Sequence, residues 1–132
     1  MIREINDLIL KTAPRHSVSN MAPNSMHNLI NQPTLVVWSG ASDTTFFQDK
    51  HVNWAFRALH DALHVKTGLD FTPVQEIELG RIQANQYDGL MADLVYCEVA
   101  LQSEYYLKNG LFVPNQVEFT KIELKRMGWK IC

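Results

Sequence analysis

Cysteine is scarce: the 132 residues contain two, Cys97 and Cys132. Two widely spaced cysteines exclude a disulfide framework and a CxxC metal knuckle, and Cys97 is expected to pack as a small hydrophobe. Long apolar runs are missing too. Nothing approaches the ~18 consecutive apolar residues of a membrane span, so no membrane association is expected. A charged start followed by an apolar run is absent, so no secretory signal is expected and the predicted location is a reducing cytoplasm. An excess of either charge is lacking as well: the formal net charge is -2, which argues against general nucleic-acid binding. The basic residues near the C-terminus, Lys121, Lys125, Arg126 and Lys130, read as a solvated helix end that complements the helix dipole. There is no internal repeat and no low-complexity stretch.

What is present is helical periodicity. Ile2, Ile5, Leu8 and Ile9 predict a short amphipathic helix from Ile2 to about Lys11. The polar stretch from Thr12 to Asn24 reads as a loop or arm. Asn24 or Ser25 is expected to cap a short helix through Asn31, ended by Pro33. The run Thr34-Leu35-Val36-Val37-Trp38 is β-like but has no convincing partner strand, so it is expected as an extended buried segment. Ser39-Gly40-Ala41-Ser42-Asp43 follows as a tight turn. The main helix is predicted from about Gln48 to Lys66, stopped by Gly68. Thr72-Pro73-Val74-Gln75 supplies a capping box with proline at the first helical position for a helix reaching about Tyr87. A helix from Leu90 to Lys108 and a last one from Pro114-Asn115 to Met127-Gly128 complete the chain. The expectation is a mainly α protein, a compact helical bundle with an extended N-terminal segment. It is read as one domain over residues 1–132, with an arm and short helices in 1–47 and a helical core in 48–127.

Chemistry-bearing side chains occupy places where a packed helix should be apolar. In the main helix Val52, Ala55, Phe56, Leu59, Ala62 and Leu63 form a broad apolar face. The narrow polar stripe left over is Asn53, Arg57, His60 and His64, flanked by Asp61. In the next helix Glu78 falls between Val74 and Ile82 on the side expected to face inward, with Arg81 and Asn85, while Glu76 is expected to be solvated. In the helix after that, Glu98 and Gln102 lie one turn apart in the middle of the apolar face formed by Met91, Leu94, Val95, Val99, Leu101 and Tyr106. Burying even a neutral polar group without a partner costs about 2–7 kcal/mol, so these side chains call for a shared partner.

A divalent ion is the simplest one. Two histidines at i, i+4 reach one ion from a single helix face, and bundle folds build metal sites from facing helices. The expected ligands are His60, His64, Glu78 and Glu98, with Gln102 and Arg81 supporting them. Imidazole and carboxylate ligation suits Zn, Fe, Mn or Ni without choosing among them. The HxxxH spacing lacks the general-base glutamate of H-E-x-x-H proteases, and no pair of ExxH motifs signals a di-iron centre. The competing reading is a buried polar network in which Arg57 and Arg81 neutralise Glu78 and Glu98. The dipeptide His60-Asp61 is too little to assign the chain to HD phosphohydrolases. The Ser39–Asp43 turn lacks the phosphate-binding GxxxxGK[ST] pattern.

The segments VNWAFRALHDALH, QEIELGRIQ, EVALQSEYY and FVPNQVEF resemble a family of small proteins of tailed bacteriophages, over roughly Leu35 to Phe119. FRALHDALH (Phe56 to His64) and EVALQSEYY (Glu98 to Tyr106) are the most specific parts. The second block of that family often carries Gly-Glu; Ile77-Glu78 stands in its place here. The resemblance implies a phage origin and a host-cell cytoplasmic location, and supplies no reaction. Two functional readings lead, ahead of a third, a virion component. One is a metal-dependent hydrolase acting on a small anionic substrate, a nucleotide or phosphoester, with Asp61 as general base and Arg57 orienting the anion. The other is a non-enzymatic protein that binds and inhibits a host defence protein, with a structural metal or a buried polar network.

Overall fold

The computed structural model describes residues 2–21, 26–32, 34–40 and 45–131. The expected cap at Asn24 or Ser25, Pro33, residues 41–43 of the expected turn and Cys132 lie outside the described residues. The fold is mainly α, as the periodicity predicts. The chain forms two compact units, Met1–Asp70 and Phe71–Cys132. The main helix groups with the N-terminal segments in the first of these units.

In the first unit, α1 (Ile2–Thr12) buries Ile5 and Ile9, the inner positions of the predicted stripe. Then come β1 (His16–Ser19), α2 (Met26–Ile30), β2 (Leu35–Trp38) and α3 (Lys50–Thr67). The β-like run does find a partner: β1 and β2 pair in parallel, with His16 opposite Leu35 and Ser19 opposite Trp38. The reading of this stretch as a loop or arm is corrected for residues 16–19. His-Ser-Val-Ser has one apolar residue and leaves Ser17 and Val18 exposed, so it carries none of the alternation by which a strand is recognised. The α3 helix packs against α1, α2 and both strands. It buries Val52, Ala55, Phe56, Ala58 and Leu63, with the polar Asn53 and His64. Asp49 caps its start by accepting from the His51 N–H. Gly68 ends it in the left-handed region at φ 75°, donating its N–H to the His64 carbonyl. Glycine takes that conformation without the Cβ penalty.

In the second unit, α4 (Pro73–Ala84) starts at Thr72, whose side chain accepts from the Gln75 N–H as predicted. The helix expected from Leu90 to Lys108 forms as α5 (Gly89–Tyr96), one π-helical turn (Cys97–Leu101) and α6 (Gln102–Asn109) in unbroken succession. The widened turn shows in the Gln102 N–H, which reaches the Cys97 carbonyl five residues back. Asn115 caps α7 (Gln116–Arg126) by accepting from the Glu118 N–H. The α4 helix packs against α5, the π turn and α6, and α7 packs against α5 and the π turn.

The inner face of α4 is Leu79, Gly80, Gln83 and Ala84. Val74 is exposed, and so is Glu78. The expectation that Glu78 faces inward is corrected, and Glu76 is the half-buried acid. The cause is Gly80, which sits against Ala100 of the π turn. A glycine carries no hydrophobic weight, yet its close backbone approach sets the rotation of the helix.

Candidate metal centre

The polar stripe of α3 forms as the sequence predicts, and its two histidines meet. Nε2 of His60 and Nε2 of His64 are 3.1 Å apart. The rings stand nearly perpendicular, at 86°, with centroids 4.7 Å apart. His64 is 1% exposed, and its Nδ1 lies 2.7 Å from the Leu69 carbonyl oxygen. A carbonyl only accepts, so His64 Nδ1 carries the proton and Nε2 presents its lone pair. This carbonyl contact is the support that fixes tautomer and ring orientation in metal-ligating histidines.

The turn after α3 delivers that carbonyl. Gly68 reverses the chain, Thr67 donates its hydroxyl to the Leu63 carbonyl at 2.8 Å, and the Leu69 N–H donates back to Thr67 Oγ1 at 3.3 Å. Two nitrogens 3.1 Å apart, each about 2.0–2.1 Å from a common ion, subtend roughly 95–100° at it. That suits tetrahedral or octahedral coordination. With His64 Nε2 accepting, the 3.1 Å contact is a hydrogen bond donated by the His60 Nε2–H. The pair thus has the spacing of two metal ligands, His64 has the tautomer and support of one, and an ion would take the place of the His60 proton.

Beside the pair, Asp61 is half-buried. Arg57 lies with its guanidinium 4.9 Å over the Trp38 ring and donates from Nη1 to the Trp38 carbonyl oxygen. Burial pulls its pKa below the ordinary arginine value, with Asp61 opposing that shift. Arg57 is therefore engaged in fastening α3 to β2, where the sequence reading gave it a substrate.

The remaining predicted site residues belong to the second unit. Glu78 and Arg81 form an exposed ion pair on α4, with 3.4 Å between Oε2 and Nη1. Arg81 does not act there as support for a buried ligand. Glu98 lies in the π turn, and its carboxyl is withdrawn from water although part of the residue stays accessible. Gln102 Nε2 donates to its Oε2 at 2.9 Å, and Thr120 Oγ1 donates to its Oε1 at 3.0 Å. Both Glu98 oxygens are thus met by hydrogen-bonding side chains of its own unit. This is the polar-network alternative, built with Thr120 and Gln102 in place of arginine. Burial pushes the Glu98 carboxyl up from an ordinary 4.5 to about 7, against the pull of its two hydrogen bonds. Sequence reasoning missed Thr120, a residue 22 positions away with no periodic signal that it is fully buried.

The class defined by fold and site is a mainly α protein with a converging pair of imidazoles that could hold a metal ion. No family model, no curated protein and no solved structure matches the chain. Among the described residues no helix is long and apolar enough to cross a membrane.

Proposed function

We propose that this protein binds one divalent transition-metal ion through His60 Nε2 and His64 Nε2, and uses it for hydrolysis of a small phosphate-bearing substrate such as a nucleotide or phosphoester. The observation that carries the reading is the convergence of the two Nε2 atoms at 3.1 Å, with His64 locked by the Leu69 carbonyl. Zn, Fe, Mn and Ni all accept such imidazoles. An ion there would supply Lewis acidity and a bound water that ionises near pH ~7. Two protein nitrogens leave open positions for water and substrate, the arrangement that separates catalytic from structural sites. Asp61, one residue from His60, is the general base nearest in sequence.

Metal analysis and calorimetric titration with Zn, Mn, Ni and Fe(II) test the reading. The expected result is one ion per chain, lost in His60→Ala and in His64→Ala. Substituting Asp61, Asp70, Glu76 and Glu78 in turn identifies any further protein ligand. No uptake of any of the four ions by the wild-type protein overturns the proposal. The metal-loaded protein is then assayed on nucleotides and phosphodiesters. Metal bound without hydrolysis moves the protein to a second reading, a non-enzymatic protein that binds a host protein. That reading is favoured by the exposed Leu107, Leu111 and Phe112 at the end of α6 and by the resemblance to small phage proteins.

A further inference from the structure

The α6 helix buries none of its eight residues. Glu104, Leu107 and Lys108 share one face of it by helical spacing, and all three are exposed. Gly110 ends the helix in the left-handed region at φ 74°, donating its N–H to the Tyr106 carbonyl oxygen at 2.8 Å. That turn folds the chain back on the helix end. The Phe112 ring comes to lie against Tyr106, with centroids 4.7 Å apart, yet Phe112 stays 77% exposed.

The start of α4 extends this apolar end. The α4 helix is joined to α5 by a short connection, which makes the two antiparallel neighbours, and it packs on along the π turn and α6. It touches Ala100 at Gly80. Val74 precedes that contact by as many residues as Tyr106 follows it, so equal rise brings Val74 level with Tyr106. Val74, Leu107, Leu111 and Phe112 thus gather at one end of the second unit, each more than half exposed. Single exposed apolar residues are ordinary, but a contiguous patch marks an interaction site. These four side chains offer on the order of 400 Å² of apolar surface. That is about what one partner brings to a standard interface of ~800 Å² a side, just over half of it apolar.

The charges beside the patch select the partner. A foreign partner steered by charge calls for a face of one sign. An isologous contact calls for both signs, because each copy must supply its own complement. Glu104 and Lys108 meet that requirement. With two α6 helices antiparallel and the axis level with Tyr106, midway between them, Glu104 of each copy lies level with Lys108 of the other. Leu107 lies between the two charges. Phe112 is already held by Tyr106 and loses little freedom on docking, as an aromatic anchor should.

We propose that this end of the second unit joins two copies of the chain into a two-fold dimer, with antiparallel α6 helices, Leu107, Phe112 and Val74 in the contact, and reciprocal Glu104–Lys108 pairs.

Sedimentation equilibrium of the full chain, from about 1 μM to about 1 mM, tests this. Measurement in chelator keeps the result independent of metal binding. The expected result is a monomer–dimer equilibrium with a micromolar Kd. Leu107→Glu and Phe112→Ser, both at exposed positions, are expected to weaken it by about a hundredfold or more. Lys108→Glu and Glu104→Lys each set like charges opposite one another twice and should weaken it by about tenfold. The double exchange Glu104→Lys with Lys108→Glu restores opposite signs and should return Kd to within about threefold of wild type. A wild type that stays monomeric, or one whose association runs on past the dimer, overturns the proposal and leaves the face to a partner of another kind. A dimer indifferent to Leu107→Glu and Phe112→Ser overturns it by placing the contact elsewhere. A double exchange no tighter than either single one overturns the reciprocal pairing.

Discussion

Gly80 lies so close to Ala100 that a methyl group added at residue 80 would come within 2.7 Å of the Ala100 backbone nitrogen and 2.8 Å of its Cβ. The obstacle is backbone, not the tip of a flexible side chain. Alanine is favoured over glycine within a helix by about 1 kcal/mol, so an unencumbered Gly→Ala change would stabilise. Overpacking against a fixed neighbour costs typically about 1–3 kcal/mol. Gly80→Ala is therefore expected to destabilise by about 1–2 kcal/mol in chemical denaturation, opposite in sign to the propensity effect. A stabilised Gly80→Ala would show that α4 is not seated on the π turn as described.

The same contact explains what the sequence disclosed and what it hid. Local rules found the helix starts and stops: Thr72, Asn115 and Gly68 cap where cap chemistry puts them. Periodicity found the polar stripe of α3 because its other faces are crowded with large apolar residues. It failed on α4, where isoleucine, valine and leucine lie on all sides and rotation is decided by a glycine. It failed on β1 because a short polar strand is defined by its partner β2, not by its own pattern. Burial of the Glu98 carboxyl was legible from the apolar residues around it. Its link to Thr120 was not, since contact across 22 residues leaves no trace in local spacing. Nor did any local signal announce the π turn.

Arg57 tests a structural role against a substrate-binding one. Its guanidinium stacks on Trp38 and donates to the Trp38 carbonyl. Lysine can make a point contact to the ring or to the carbonyl, but it lacks the plane that lets the guanidinium stack on the ring while donating to the carbonyl. Arg57→Lys and Arg57→Ala are both expected to lower stability, by about 0.5–2 kcal/mol. Metal uptake by the folded protein should be unchanged. Loss of the ion at full stability would assign Arg57 to the metal centre instead.

Stability should depend on pH through Glu98. Its carboxyl is raised from an ordinary 4.5 in the unfolded chain to about 7 in the fold. The folded state therefore holds more protons between those values, and stability falls as pH rises through that window. Below about 4.5 the penalty is absent; above about 7 it is complete, on the order of 3 kcal/mol at most. Glu98→Gln removes the charge and retains a donor and an acceptor. The difference in unfolding free energy between variant and wild type should grow in the variant's favour from pH 5 to pH 7 and then remain constant. A difference that does not change with pH would place the ionised carboxylate in the fold at no cost.

The two histidines should separate stability from metal binding. Removing the His64 ring leaves the Leu69 carbonyl without its donor and opens space at a fully enclosed position. His64→Ala in chelator is expected to lose about 2–4 kcal/mol. His60 is half-buried, and His60→Ala should cost less, about 0.5–1.5 kcal/mol. With metal present the wild type gains thermal stability in proportion to ligand excess, and neither variant does. Equal metal-induced stabilisation of the wild type and both variants would place the ion elsewhere.

Gly68 offers a way to disturb the centre without touching a ligand. Its φ of 75° is left-handed, and a Cβ added there meets nothing within 4 Å, so substitution acts on backbone conformation alone. An L side chain in that region costs roughly 1–2 kcal/mol. The chain relieves the cost by rotating out of it, which carries the Leu69 carbonyl away from His64 Nδ1. Once that support is lost the imidazole turns more freely and the proton is no longer confined to Nδ1. Loss of such supporting contacts typically costs about 10–100-fold in metal affinity. Gly68→Ala is expected to lose about 1 kcal/mol of stability and at least tenfold in metal affinity by titration. Gly68→Asn, which tolerates the left-handed region better, should recover part of both. Stability lost with affinity intact would mean that His64 is oriented by its packing in α3 rather than by the turn behind it.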